Sequence, residues 1–138
     1  MKKYKLGYTA GVFDLFHIGH LNILKNAKEQ CERLIVAVST DELVMQYKNK
    51  KPLVPFNERI AIVQAIRYVD EVIPQINRDK FWAWQLIGFD AMFVGDDWKG
   101  DKLFNEVELK FKEVGVDLVY LPYTKGVSST LLREKIIV

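Results

Sequence analysis

The 138-residue sequence predicts a single α/β domain, a doubly wound parallel sheet of about five strands with helices on both faces. Three observations carry this. Short apolar runs alternate with segments of helical periodicity from one end of the chain to the other. The run Arg33–Ser39 is apolar and β-branched without alternation, as a central strand covered on both faces requires. Three polar clusters (Gly11–His20, Gly95–Gly100 and Thr124–Thr130) each follow a predicted strand, and open α/β sheets bind ligands at the carboxyl ends of their strands.

Each element has its own signal. Tyr4–Thr9 reads as a short buried strand, and Gly19–Lys28 as a helix with Leu21, Leu24 and Ala27 at helical spacing. After the strand Arg33–Ser39, Asp41–Tyr47 is a short helix capped by Thr40 or Asp41. Lys48–Pro55 is lysine-rich and holds two prolines, hence a loop. Asn57–Tyr68 is a helix presenting Ile60, Val63, Ala65 and Ile66, followed by a strand at Glu71–Pro74. Asp79–Ile87 is an aromatic-rich helix, and Ala91–Val94 a strand ending in the polar turn Gly95–Gly100. Phe104–Val114 is a helix stopped by Gly115, Asp117–Leu121 the last strand, and Ser128–Ile137 a closing helix with Ser128, Ser129 or Thr130 as its cap.

The chain shows no internal repeat, low-complexity stretch or interdomain linker, so residues 1–138 are one domain. A net charge of +2 is too mild to argue for a nucleic-acid partner. Cys31 is the single cysteine, which excludes an intramolecular disulfide and a cysteine-rich metal site; it is expected to be a half-buried residue ending the first helix. No run approaches the length of a membrane span or a signal peptide, so a cytoplasmic protein without membrane insertion is expected.

The chemistry concentrates in Gly11-Val-Phe-Asp-Leu-Phe-His-Ile-Gly-His20, a glycine-containing turn between a strand and a helix. Such a turn aims backbone N–H groups and a helix N-terminus at an anion, which suits a nucleotide phosphate. His17 and His20 can donate to the same phosphate oxygens, and Asp14 either orients a histidine, hydrogen-bonds at the site or caps the helix. Ser128, Ser129 and Thr130 place three hydroxyls and a second helix start behind Gly126. No Gly-x-Gly-x-x-Gly follows the first strand, which argues against a dinucleotide-dependent dehydrogenase on this Rossmann-like fold.

The decapeptide resembles the signature of the nucleotidyltransferase superfamily that carries a His-x-Gly-His motif. Arg67-Tyr-Val-Asp-Glu-Val-Ile-Pro74, Gly95-Asp-Asp-Trp98 and Gly126-Val-Ser-Ser-Thr130 resemble further blocks of its cytidylyltransferase branch, in order and at similar spacing. Within that branch the likeness is to the glycerol-3-phosphate cytidylyltransferase family. The resemblance implies attack by a phosphomonoester oxygen on the α-phosphorus of CTP, giving a CDP-alcohol and pyrophosphate. It makes His17, His20 and Lys48 catalytic, with Lys48 also holding the acceptor. It assigns Val12, Phe13, Asp14, Lys50, Arg67 and Asp96 to the nucleotide, together with Thr124, Lys125, Gly126, Val127, Ser128, Ser129 and Thr130. Lys80 is carried over as a contact to the acceptor alcohol. Arg59 and Arg67, eight residues apart on one predicted helix, are expected near one face, Arg59 with a structural or a phosphate role. Asp97 and Trp98 read as turn-shaping residues, and Trp82 and Trp84 as packing or subunit contacts.

One position departs from the family. Its last block usually opens with arginine, and here that position is Tyr123, with Lys125 two residues on. A phenol cannot replace the charge of a guanidinium. Glycerol 3-phosphate is the first acceptor expected; phosphoethanolamine, phosphocholine and other polyol phosphates follow. The alternatives are an adenylyltransferase using ATP, or a nucleotide-binding module without turnover. Mg²⁺ carried in with the nucleotide is implied by any triphosphate substrate. The resemblance also implies a homodimer, with Arg67–Pro74 and the tryptophan-bearing helix as its interface.

Overall fold

The computed structural model describes residues 2–136. Five strands and six helices alternate: β1 (Tyr4–Gly11), α1 (Ile18–Gln30), β2 (Cys31–Ser39), α2 (Asp41–Lys48), α3 (Phe56–Gln64), β3 (Glu71–Gln75), α4 (Lys80–Ile87), β4 (Ala91–Gly95), α5 (Lys102–Glu113), β5 (Asp117–Leu121) and α6 (Ser129–Ile136). All strands pair in parallel in the order β3-β2-β1-β4-β5. The direction of winding therefore reverses between β1 and β4, and the crevice beyond their carboxyl ends is the place for a ligand. Among the described residues no helix is long and apolar enough to cross a membrane.

The sheet separates two apolar layers. On one face Leu24 and Ala27 of α1 and Val63 of α3 pack on Leu34, Val36, Val38 and Phe93, all essentially inaccessible. On the other, Ala83 of α4 with Phe104 and Phe111 of α5 covers Tyr8, Ala37, Met92 and Val94. Each fully buried aliphatic or aromatic side chain contributes roughly 1.5–3 kcal/mol, so these layers hold the strand ends rigidly beneath the site.

The predicted elements are all present, with shifted boundaries. β2 begins two residues early, so Cys31 opens a strand and is fully buried, its thiol directed to the Ala27 carbonyl at 3.3 Å. This corrects the half-buried helix end expected for it. The helix predicted to reach Tyr68 stops at Gln64. Tight turns (Ile66 N–H to Val63 O, Val69 N–H to Ile66 O) bring the chain round so that the Asp70 carboxylate accepts from Leu34 N–H and from Lys28 Nζ. Arg59 and Arg67 consequently share no helix face. The last helix starts at Ser129 with Ser128 outside it, and its predicted final residue, Ile137, lies outside the described residues.

Candidate active site

The turn joining β1 to α1 is strained. Phe13 and Leu15 have φ of 55° and 51°, values that side chains other than glycine seldom adopt. Two contacts hold it there. Phe13 is buried and packs against Phe16 and His20, and Arg59 donates to the Val12 carbonyl at 2.7 Å.

The two histidines, not Asp14, cap α1. His17 is its N-cap, with Nδ1 accepting from Gly19 N–H at 3.1 Å, while His20 Nδ1 accepts from His17 N–H at 3.1 Å. This reciprocal arrangement is a capping box built from imidazoles. It also accounts for Gly19, where a Cβ would lie 2.9 Å from the His17 ring. Because each Nδ1 receives a backbone N–H, the proton of each neutral ring belongs on Nε2. The rings stack with centroids 3.8 Å apart. Burial lowers the pKa of His17; burial and the neighbouring His17 charge bring His20 down to about 4. At neutral pH the pair is thus two uncharged imidazoles, each with an Nε2–H to donate.

Of the uses expected of Asp14, the structure shows hydrogen bonding at the site, with the loop and α6 rather than a histidine as partners. Its buried carboxylate accepts from Leu53 N–H and Val54 N–H, both at 2.9 Å, and pairs with Arg133 at 3.2 Å. Asp14 is a clamp for the loop after α2. Arg59, only 1% exposed, is likewise structural: its guanidinium donates to the Val54, Val12 and Ser39 carbonyls and to the Asp41 carboxylate, at 2.7–2.8 Å.

Around these features lies a cleft of about 520 Å³. Val12, Phe13, Asp14, His17 and His20 form its floor side. Lys48 and Lys50, from the end of α2 and the loop beyond it, and Lys80, from the start of α4, also reach it. Burial lowers the pKa of Lys48, and Lys50 and Arg133 push it the same way; burial and Arg78 do so for Lys80. Among the described residues no carboxylate pairs with Lys48, Lys50, Arg78 or Lys80, so this wall is an unneutralised cationic surface.

The last block lines the same cleft. Thr124, Val127, Ser128, Ser129 and Thr130 line the cleft. Gly126, with φ of 85°, makes the turn that a residue with a Cβ would strain. Ser128 Oγ accepts from Leu131 N–H and caps α6, and Ser129 Oγ donates to the Asp14 carbonyl. With Leu131 N–H held by Ser128, the N–H groups of Ser129 and Thr130 have no intrahelical partners, an arrangement that suits an anion.

Four predicted nucleotide residues stand apart from the cleft walls: Arg67, Asp96, Lys125 and Gly126. Arg67 is exposed after α3, stacked over Tyr68 and donating to its hydroxyl at 3.0 Å. Asp96 accepts from Tyr123 N–H at 3.0 Å, tying the ends of β4 and β5 together, while Asp97 and Trp98 line the cleft beside it. Two cleft-lining groups and one supporting contact were not foreseen. Arg78 lies flat on Tyr47, its guanidinium 4.2 Å from the ring centre. Arg133 enters from α6, and Asn22 of α1 donates to the Thr124 hydroxyl at 3.0 Å. A second crevice of about 310 Å³ opens between β3 and α4, but its walls are mainly apolar and include neither histidine.

A family model described as cytidylyltransferase-like matches residues 8–135. The glycerol-3-phosphate cytidylyltransferase of Bacillus subtilis is 40% identical over 130 residues, covering 93% of this chain and 94% of that protein. The FAD synthase of Thermococcus sibiricus is 34% identical over 116 residues, covering 83% of this chain and 78% of that protein. Among solved structures, a lipopolysaccharide core biosynthesis protein from Thermoplasma volcanium superimposes with a TM-score of 0.72 at 26% identity, covering 90% of this chain and 99% of that chain.

Proposed function

The chain belongs to the cytidylyltransferase-like family, and on that premise we propose that it transfers the cytidylyl group of CTP to glycerol 3-phosphate, releasing CDP-glycerol and pyrophosphate. The observation that carries this reading is the stacked histidine pair, with both Nδ1 atoms tied to backbone N–H groups and both Nε2–H groups left to donate. An oxygen of the acceptor phosphate forms a bond to the α-phosphorus. The bond from that phosphorus to the bridging oxygen breaks, and its electron pair leaves with pyrophosphate. The acceptor oxygen is already ionised, so no base is needed. Catalysis is then positioning and charge stabilisation.

In this reading the triphosphate lies along the starts of α1 and α6, where His17 and His20 meet the oxygens that gain charge. The cationic wall of Lys48, Lys50, Arg78 and Lys80 holds the acceptor. Stacked on Tyr47, Arg78 is better fixed than the lysines and adds a planar donor that they lack. Mg²⁺ enters on the triphosphate. Both oxygens of Asp14 already serve the loop and Arg133, so a metal bound with the nucleotide would take its ligands chiefly from the phosphates and water. Such a substrate pair places the enzyme in the cytoplasm.

A homodimer fits the exposed edge of the sheet. Among the described residues one side of β3 has no partner strand, and Ile76, Trp82 and Leu86 stand 60%, 38% and 66% exposed beside it. The FAD synthase relatives favour a second reading, adenylyl transfer from ATP. The deciding experiment is pyrophosphate release with Mg²⁺, offering CTP or ATP against glycerol 3-phosphate. Release that needs both CTP and glycerol 3-phosphate supports the first reading. Release with ATP but not CTP would replace it with the second.

A further inference from the structure

Asp14 joins three segments that are distant in sequence. Its carboxylate holds Leu53 N–H and Val54 N–H, the part of the loop just beyond Lys48–Lys51. One nitrogen of the Arg133 guanidinium reaches Asp14 Oδ2 at 3.2 Å and the Lys51 carbonyl at 3.0 Å. The first turn of α6 is fastened to the same place, through Ser129 Oγ on the Asp14 carbonyl. Arg133 therefore bridges the helix that seats the triphosphate and the loop that carries the acceptor's lysines. Its own charge is engaged with Asp14, whose side chain is 7% exposed, so it is not a free phosphate ligand.

We propose that Arg133 is a positioning residue that couples the two halves of the site, so that a triphosphate on α6 fixes the lysine loop for the acceptor phosphate. The inference rests on the reading of the site given above. Its reasoning is mechanical. Asp14 and Arg59 fix the loop at Leu53 and Val54, but ahead of them Lys48, Asn49, Lys50 and Lys51 are exposed, and Asn49 is in the left-handed conformation that ends α2. An anion that orders the first turn of α6 orders Ser129, four residues before Arg133 and so on the same side of the helix. That fixes the guanidinium on Asp14 and Lys51, and with it the backbone that carries Lys48 and Lys50. By linkage, CTP and the acceptor must then strengthen each other's binding by the same factor.

The test uses the full chain as Arg133→Met and Arg133→Lys. Amide hydrogen exchange at Leu53 and Val54 is followed with and without CTP, no acceptor being present, and steady-state kinetics are measured for both substrates. In the unaltered chain, CTP should slow exchange at these two amides several-fold. In Arg133→Met that protection should vanish and the acceptor KM at saturating CTP rise about tenfold, while CTP affinity measured without acceptor stays within about threefold and kcat changes little. Arg133→Lys should restore part of the protection, since an ammonium can reach one of the two oxygens. CTP-induced protection that survives in Arg133→Met would overturn the proposal. So would a loss of CTP affinity measured without acceptor, together with a lowered Tm, which marks a merely structural ion pair. If the unaltered chain shows the protection yet does not turn over glycerol 3-phosphate, the acceptor assignment fails and the coupling stands.

Discussion

The histidine turn and the lysine loop border one cleft and are built on opposite terms. In the turn the reacting groups are held in place and only the two Nε2–H groups are left to donate: His17 and His20 cap α1 through Nδ1, Gly19 leaves space for the His17 ring, and two residues other than glycine are held at positive φ. In the loop the backbone is tied through Leu53 and Val54, but the lysines ahead of them have no carboxylate partner among the described residues. The difference matches two demands. Stabilising a transition state rewards groups that need no reorganisation, whereas admitting and releasing a charged substrate rewards cations that can move.

Breaking the rigid side should cost most. His17→Ala removes a donor to the reacting phosphate together with the N-cap of α1. We expect kcat to fall about 10²–10³-fold, or about 3–4 kcal/mol, in pyrophosphate-release assays. CTP affinity and the far-UV circular dichroism spectrum should stay close to those of the unaltered chain. Full turnover in this variant would remove the histidine from the chemistry and leave it as a cap alone.

Acid should strain the same turn. The folded-state pKa of His20, about 4, lies below the ordinary histidine value of 6.5, so the unfolded chain takes up the proton first. Stability is therefore lost as pH falls from about 6.5 to about 4 and, on this account, no further below that. The loss from this group is about 3 kcal/mol at most. Urea unfolding at pH 7, 5.5 and 4.5 should show it, and His20→Gln should flatten the slope. An equal slope in the variant would assign the acid sensitivity to other groups.

The mobile side should break more gently. Lys48→Ala leaves Lys50, Lys80 and Arg78 in place, so the acceptor KM should rise about tenfold, some 1.4 kcal/mol, with kcat for CTP turnover much less affected. A collapse of kcat at saturating acceptor would instead place Lys48 at the reacting phosphate. The comparison between the two regions would then lose its meaning.

The sequence made these two regions legible to different depths. Strands declared themselves because a buried parallel strand must be apolar throughout, and Asp117–Leu121 carries its boundaries in its own residues. The histidine pair was legible because His17 and His20 act through local geometry within one turn. What could not be read were the ties across the fold. Asp14 and Arg133 are 119 residues apart, Arg133 and Lys51 82 apart, and no spacing or propensity links them. For Asp14 the sequence left open a cap, a histidine partner or a hydrogen bond at the site, and only the fold brings in Leu53, Val54 and Arg133 as the partners. Arg59 and Arg67 were misplaced for a related reason. Helical periodicity was extended past Gln64, whereas the need to bring Asp70 to Leu34 and Lys28 ends the helix there.

The smallest effect is expected where the two regions meet the solvent, at Tyr123. Its ring is 46% exposed at the cleft rim, and its N–H is held by Asp96, so the backbone there is set independently of the side chain. Lys125 is exposed and does not line the cleft, and Arg133 is committed to Asp14, so neither supplies a free charge at this place. Tyr123→Arg therefore adds a cation that the site lacks. At an exposed position such a charge is worth about 0.2–1 kcal/mol, which predicts a CTP KM lowered by a factor of about 1.4 to 5 with kcat unchanged. The gain should shrink as salt rises from 50 to 500 mM, because a rim charge is screened and a buried one is not. An increase in kcat would show that the added guanidinium reaches the transition state, and the rim would then belong with the histidine turn. A rise in KM would mean that the phenol itself contacts the nucleotide, and that this chain has rebuilt the position around a stacking or hydroxyl contact in place of charge.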